Sequence, residues 1–487
     1  MASVRGWQKV GENLVQARGA NLRKDRSSPM WIMLPCLHVI LHDLSPVFSE
    51  PSFITNSEVL LGWVMCLGTR TEYRVAQSFH AAEETSRAQR HPFDRFYNFF
   101  SRSAWKVSDL GCHVAALAVA RLKVVGGLFL VIDDTLLHKR GTRVFGLGWF
   151  RDAVASTRTR VATASGNNWV VLALAVPIPL SPSRVFCIPL AMRLHLAGED
   201  HPSCAALARQ LLDEVLTWFA DRDVILIADA AYACEPVLEG LPKRVEFVGR
   251  MRSDAAIYDP TPLPQPASKP GRKPQKGPRL PSPKEAAAKA DEPAKAASGK
   301  QEGQWQWQTV EALAYGVKRT LRVLACVVVW PHVLGTRKVR LVVVRDPEGK
   351  FEDTYLFTTM VEAVPQWVIE TFAKRWAIEQ SFRDSKQVLD IEGPQHWCQQ
   401  SIEKLAPWVW LMQSVILVWY VTEGHKCAEA KEVEALMGPW DSPTSLRHML
   451  QVLRRATLNL SINSNSSDCN ELHRWIASLK NLINAAA

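Results

Sequence analysis

The segment from residue 372 to 386 (Phe-Ala-Lys-Arg-Trp-Ala-Ile-Glu-Gln-Ser-Phe-Arg-Asp-Ser-Lys) holds the side chains best spaced to do chemistry. On a helix turning about 100° per residue, Phe372, Arg375, Glu379 and Lys386 fall within about 60° of one another. A carboxylate flanked by cations on one stripe makes a poor core and a good grip on a charged polymer. The apolar stripe beside it, at Ile378, Phe382 and Leu389, repeats at helical spacing. One side of the helix can therefore be buried while Arg375, Glu379, Arg383 and Lys386 face a cleft. Taken alone, the pattern also describes an ordinary amphipathic helix with solvated charges.

Two upstream segments carry more carboxylates. Residues 126–135 form an apolar run that closes on Asp133, Asp134 and Thr135, and residues 223–229 repeat the pattern and close on Asp229. Continuous Val/Ile/Leu runs suit strands covered on both faces. Ligand groups gather where such strands end, at the carboxyl edge of an α/β sheet. An aspartate after a strand is commonly a turn or cap residue, yet two of them followed by an acid among cations form a set. Hard divalent cations such as Mg²⁺ prefer carboxylate oxygens. Two such ions about 4 Å apart can drive in-line phosphoryl transfer. Arg375 and Lys386 would then contact phosphates, the first through a bidentate fork, the second as a point charge. The chain contains no phosphate-binding Gly-x-x-x-x-Gly-Lys-Ser/Thr loop, no Gly-x-Ser-x-Gly elbow and no His-Glu-x-x-His zinc motif.

The elements that must position these groups follow from the rest of the chain. At 487 residues it exceeds a single compact core. Its 58 Lys+Arg against 48 Asp+Glu give a net charge of +10, which favours a polyanionic partner such as nucleic acid. The ten cysteines are scattered without a Cys-x-x-Cys pair, as in a reducing cytoplasm. The first residues show no secretory-signal pattern. Leu405–Val421 is strongly apolar but is interrupted by Pro407, Gln413 and Ser414, so it reads as a buried helix and not a membrane span.

Residues 1–120 read as a helical N-terminal region. In it His91–Trp105 interleaves aromatics with arginines, as a core helix or a DNA-facing module would, and Arg70, Arg74, Arg87 and Arg90 are compatible with a helix-turn-helix. Within 121–255 the pattern predicts strands near 126–134, 168–176, 184–195, 223–229 and 244–251, with a helix over 204–221. Residues 256–360 read as a mostly β insertion, with strands near 320–330, 337–345 and 354–359. It opens with a stretch, 260–302, that holds ten of the 29 prolines and reads as a disordered, basic linker in which Gly271–Arg279 could touch phosphates. Residues 361–400 bring the Glu379 helix, and 401–487 read as a helical C-terminal region with a basic helix over Ser445–Arg455.

The order Asp, Asp, Glu with a large insertion before the Glu resembles the RNase H-like DDE transposases of cut-and-paste bacterial insertion sequences. Their subgroup signature is Tyr, two residues, Arg, three residues, Glu, six residues, Lys. Phe372, Arg375, Glu379 and Lys386 match that spacing, with Phe in place of Tyr, so the hydroxyl that could reach phosphate is missing. The resemblance covers about 125–400. It implies an α/β fold with an RNase H-like mixed sheet and helices on both faces, interrupted by the insertion. It implies catalysis at Asp133 or Asp134, Asp229 and Glu379, with two Mg²⁺ ions, or Mn²⁺ in their place, held by Asp133, Asp229 and Glu379. The Asp-x-Thr spacing favours Asp133 as the first ligand. Phe372, Arg375, Arg383 and Lys386 would contact DNA, as would Arg250 and Tyr355, which flank the insertion where this family handles the transposon end. The implied partners are double-stranded DNA, both terminal inverted repeats and target, gripped by a homodimer in the cytoplasm at the nucleoid. A related endonuclease without strand transfer, or an inactive DNA-binding regulator, is the alternative.

Overall fold

Long runs of β-branched and aliphatic residues build one large mixed sheet, and amphipathic helices close both of its faces. The computed structural model describes residues 33–83, 92–157, 159–262, 275–291, 305–438 and 442–464. Among the described residues five α-helices come first: α1 (Pro35–His42), α2 (Glu50–Met65), α3 (Glu72–Glu83), α4 (Pro92–Ser101) and α5 (Val107–Arg121). The sheet then begins with β1 (Leu128–His138), β2 (Gly148–Arg151), β3 (Thr163–Ile178) and β4 (Ser181–His195). Next come α6 (Cys204–Trp218), β5 (Val224–Ala228), α7 (Glu235–Leu238) and β6 (Val245–Arg250). α8 (Pro283–Lys289) leads into β7 (Gln308–Ala314), β8 (Val317–Val329), α9 (Pro331–Leu334), β9 (Lys338–Arg345) and β10 (Thr354–Thr358). The described residues end with α10 (Pro365–Ala373), α11 (Trp376–Gln387), α12 (Gln399–Thr422), α13 (Ala428–Glu434) and α14 (Leu446–Ser464).

β1 lies at the centre, antiparallel to β3 on one side and parallel to β5 on the other. β4 pairs with β3, and β6 runs parallel to β5, so the order β4-β3-β1-β5-β6 agrees with the RNase H-like expectation. The strands predicted as an insertion do not form a separate sheet. β10 pairs directly with β6, and β9, β8 and β7 extend the same sheet outward. Short β2 and β7 escaped the sequence reading, since four and seven half-exposed residues give little alternation to see.

The stretch read as a disordered linker needs correction over 275–291. α8 is ordered there by a capping box: Ser282 Oγ accepts from Glu285 N, and the Glu285 carboxylate accepts from Ser282 N. Ala286 and Ala287 are buried, Lys276 lies 3.6 Å from the Tyr258 ring centroid, and Asp291 accepts from Arg345. Composition hid this because alanine, with no bulk, still allows close docking. Residues 263–274 and 292–302 of the predicted linker lie outside the described residues.

α12 is apolar on every side and 94% of its most apolar window is buried inside the protein, although its length and hydropathy would suffice for a membrane crossing. It is the post against which α11 and β3 are packed. Trp410 meets Trp169 of β3 edge-on at 5.8 Å, and its Nε1 donates to Ser385 of α11 at 3.1 Å. Gln413 donates to Ser381 at 3.1 Å, so the register of α11 is fixed by polar bonds as well as by Ile378 and Phe382. On the other side of the sheet α6 packs over β3 and β4. α5 comes so close to β4 that a Cβ at Gly111 would sit 2.3 Å from the Leu190 carbonyl oxygen.

The aromatics of α4 settle an open reading. Phe96, Phe99, Phe100 and Trp105 are buried, which makes them core. Arg70 is buried too, its Nε bonded to the Trp63 carbonyl and its backbone N–H to Asp390, while Arg74 is exposed. Arg87 and Arg90 lie outside the described residues.

Candidate active site

Register brings the two strand-end acids together. The β1–β5 ladder ends at the pair Ile132 and Ala228, and the next residues on the two strands are Asp133 and Asp229. Parallel neighbours in register lie about 4.8 Å apart and point to the same face. The β5–β6 ladder ends at Ala228 and Gly249, so Arg250 continues the row beside Asp229, its Nη1 3.7 Å from Asp229 Oδ1. Three adjacent strands thus deliver Asp133, Asp229 and Arg250 side by side at the carboxyl edge. Asp229 also caps the short turn that follows, accepting from Ala230 N at 2.8 Å.

α11 lays Glu379 over this row. Arg375 joins the elements, with Nη1 2.7 Å from Asp133 Oδ2 and Nη2 2.6 Å from Glu379 Oε1. Its side chain is only 14% exposed. Burial disfavours its charge, but Asp133, Glu379 and Asp229 together outweigh that and raise its pKa. All three predicted acids therefore surround one guanidinium. The Asp133 carboxyl is pushed up to about 7, chiefly by burial; Arg375 opposes the rise, and Asp134 and Glu379 add to it.

The helix expected to run unbroken from 372 to 386 is instead two helices. At the joint Arg375 N donates to the Phe372 carbonyl and Ile378 N to the Arg375 carbonyl, both tighter than α-helical bonds. The joint turns Phe372 into the core, where it is 7% exposed and lies 5.8 Å beneath the Arg375 guanidinium. Phe372 is thus corrected from a DNA contact to a packing residue that supports Arg375.

The remaining expected residues divide. Arg383, one turn beyond Glu379, is exposed. Lys386 is half-buried, and its Nζ donates to the Leu136 carbonyl of β1 at 2.7 Å, which ties α11 to the strand bearing Asp133. Burial lowers its pKa, with Glu392 and Asp152 opposing. Tyr355 does not join the cluster. Its neighbour Leu356 pairs with Arg250, so Tyr355 points to the opposite face, near Asp353 and Arg345.

Asp134, on the same strand, is likewise turned away from Asp133. Its Oδ1 accepts from the buried Tyr232 hydroxyl at 2.7 Å. The ambiguity between the two acids is thereby one of face, and only Asp133 shares a face with Glu379. Tyr232 was missed in the sequence. Its one signal is the position, three residues after Asp229 in the turn that follows β5.

Hard carboxylate oxygens from Asp133, Asp229 and Glu379 suit a divalent cation. Burial chiefly raises the Asp133 carboxyl, and Arg375 beside it does not fully offset that rise. Among the described residues no three His, Cys, Asp or Glu side chains are grouped closely enough to hold a metal ion, and the Arg375 guanidinium bridges Asp133 and Glu379.

A family model described as DDE superfamily endonuclease matches residues 56–319, a span that includes Asp133, Asp134 and Asp229 and ends before Glu379. No curated protein sequence matches the chain.

Proposed function

The chain belongs to the DDE superfamily endonucleases, and from that premise we propose that it is a DNA transposase that cleaves at transposon ends and joins them to target DNA. The observation that carries this reading is the gathering of Asp133, Asp229 and Glu379 around Arg375 at the carboxyl edge of β1 and β5. Asp133, Asp229 and Glu379 are the residues to hold divalent ions, Mg²⁺ by preference with Mn²⁺ as substitute. The chemistry such ions supply when bound is polarisation of the scissile phosphate and activation of the attacking oxygen.

The other residues grip and orient. Arg375 carries a planar fork whose geometry suits a phosphate. Arg250 stands beside Asp229 and Arg383 beyond Glu379, so cations line the approach from two sides. Lys386 acts as a positioning residue that holds α11 to β1. The same carboxylates serve both steps: water attacks first and frees a 3′-hydroxyl, which then attacks target DNA. Both ends of an element must be joined, so a homodimer acting on terminal inverted repeats in the cytoplasm completes the proposal.

A second reading, an endonuclease that cuts without joining, is favoured by the description of the matched family. Incubation with labelled element ends and unlabelled target separates the two. The transposase produces joined products whose label migrates with the target. Nicks without joined products would reduce the function to cleavage alone.

A further inference from the structure

The connection between β1 and β3 carries charge that the carboxylate site does not use. Residues 139–163 hold six Lys or Arg against one acid, Asp152. Asp152 is engaged already, by His138 Nε2 at 2.9 Å and by the N–H groups of Val154 and Ala155. Arg140, Arg143, Arg151 and Arg160 are exposed, and none of them forms a salt bridge with a described residue. Among them stands Trp149, 75% exposed on β2. An indole this open on an edge strand is a liability in a free protein.

Register decides which way this surface looks. Asp133 pairs with Val171 of β3, and Ser165, six residues back along β3, pairs with Trp149, while Thr163 pairs with Arg151. Paired residues share a face and alternate residues along a strand keep it. Trp149 and Arg151 therefore project from the same side of the sheet as Asp133. Six residues for Trp149 and eight for Arg151, at about 3.3 Å each, and two strand spacings across put them about 22 and 28 Å from the carboxylate. That is about six to eight steps along a DNA strand.

The ledge is fixed to the active site. Lys139 Nζ donates to the carbonyls of Glu392 and Pro394 at 2.8 and 2.9 Å, and Phe145 N donates to the Trp397 carbonyl at 3.0 Å. His138 donates its backbone N–H to Glu392 at 2.8 Å. The segment so held follows α11 directly, and Trp397 on it is 58% exposed. Whatever binds the ledge is held in a set relation to Glu379.

We propose that this ledge is a second nucleic-acid contact, in which Arg140, Arg143, Arg151 and Arg160 hold the phosphates of duplex DNA flanking the cleaved bond and Trp149 stacks on a base or sugar. It rests on the reading of DNA as substrate. Guanidinium groups neutralise phosphates and release counterions, whereas an indole contributes stacking that is independent of salt. The two halves of the proposal therefore have different signatures.

The test is fluorescence anisotropy with a labelled duplex of about 40 base pairs, titrated at several NaCl concentrations. Replacing all four arginines by Ala lowers the slope of log affinity against log salt by about 2 to 4 and weakens binding at 0.1 M NaCl about 10-fold or more. Trp149→Ala weakens binding about 5-fold or more with the slope unchanged. A control that removes the same charge from the β7–β9 side, Lys284, Lys318, Lys338 and Lys350 to Ala, leaves the slope unaltered. Circular dichroism on every variant confirms folding, and these exposed positions should tolerate the change. If the parent binds and the arginine variant binds with equal affinity and slope, the ledge is overturned while DNA remains the substrate. A control that lowers the slope as much overturns it as well, because bulk charge then suffices. Variants that alter self-association but not DNA binding would reassign the ledge to a protein interface and overturn it. A parent that binds no DNA sinks the substrate reading and the ledge together.

Discussion

Replacing Asp133 by Asn removes a charge that folding makes costly. Burial lifts this carboxyl to about 7 even with Arg375 at 2.7 Å, while the unfolded chain titrates near 3.8. The folded state therefore holds the proton more tightly, and stability is full below the unfolded value and falls as pH rises through about 4 to 7. At about 1.4 kcal/mol per pH unit the loss approaches about 4 kcal/mol, a ceiling because the side chain retains 18% exposure. Asn imitates the protonated acid. Asp133→Asn is thus predicted to exceed the parent by up to about 4 kcal/mol at pH 8 and by about 1 kcal/mol at pH 4.5. Thermal melts in EDTA at both pH values measure this as a gap in melting temperature that opens with pH. Added Mn²⁺ should then narrow the gap by stabilising the parent alone. A variant that melts below the parent at pH 8, or a gap indifferent to pH, would refute the reasoning.

Three other substitutions separate the roles assigned to neighbouring groups. Asp134→Asn, which faces Tyr232 and not Glu379, should cost cleavage no more than about 10- to 100-fold, against about a thousandfold or more for Asp133→Asn, measured as initial rates of plasmid nicking. Tyr232→Phe deletes a 2.7 Å hydrogen bond to a carboxylate and should cost about 1.5–3 kcal/mol in urea unfolding. Ser282→Ala breaks the capping box of α8 and should cost about 1 kcal/mol locally, read as faster amide exchange over 283–289.

The strands were legible because Val/Ile/Leu runs have few other uses, and both strand-end acids were found because each closes such a run. Spacing favoured Asp133 over Asp134, but alternation separates their faces without saying which face is which. The partner strand supplied that answer. The stripe argument brought Arg375 and Glu379 together correctly but carried Phe372 along with them. A helix wheel assumes an unbroken helix, and the tight turn at 374–375 has no signal in residue type. That Tyr355 lies on the other face from Arg250 was hidden for a related reason: chain position flanking the insertion says nothing about pleat. That Arg375 serves as the counterion of its own site was also invisible, because spacing places it near Glu379 and only the fold adds Asp133.

The most direct measurement is cleavage of supercoiled plasmid DNA in Mg²⁺ by the parent and by Glu379→Gln, with duplex affinity determined on the same preparations. A parent that nicks the plasmid, beside a variant that binds as tightly and leaves it intact, is the predicted result. Equal nicking by the two proteins would contradict the convergence of Asp133, Asp229 and Glu379 into one catalytic site.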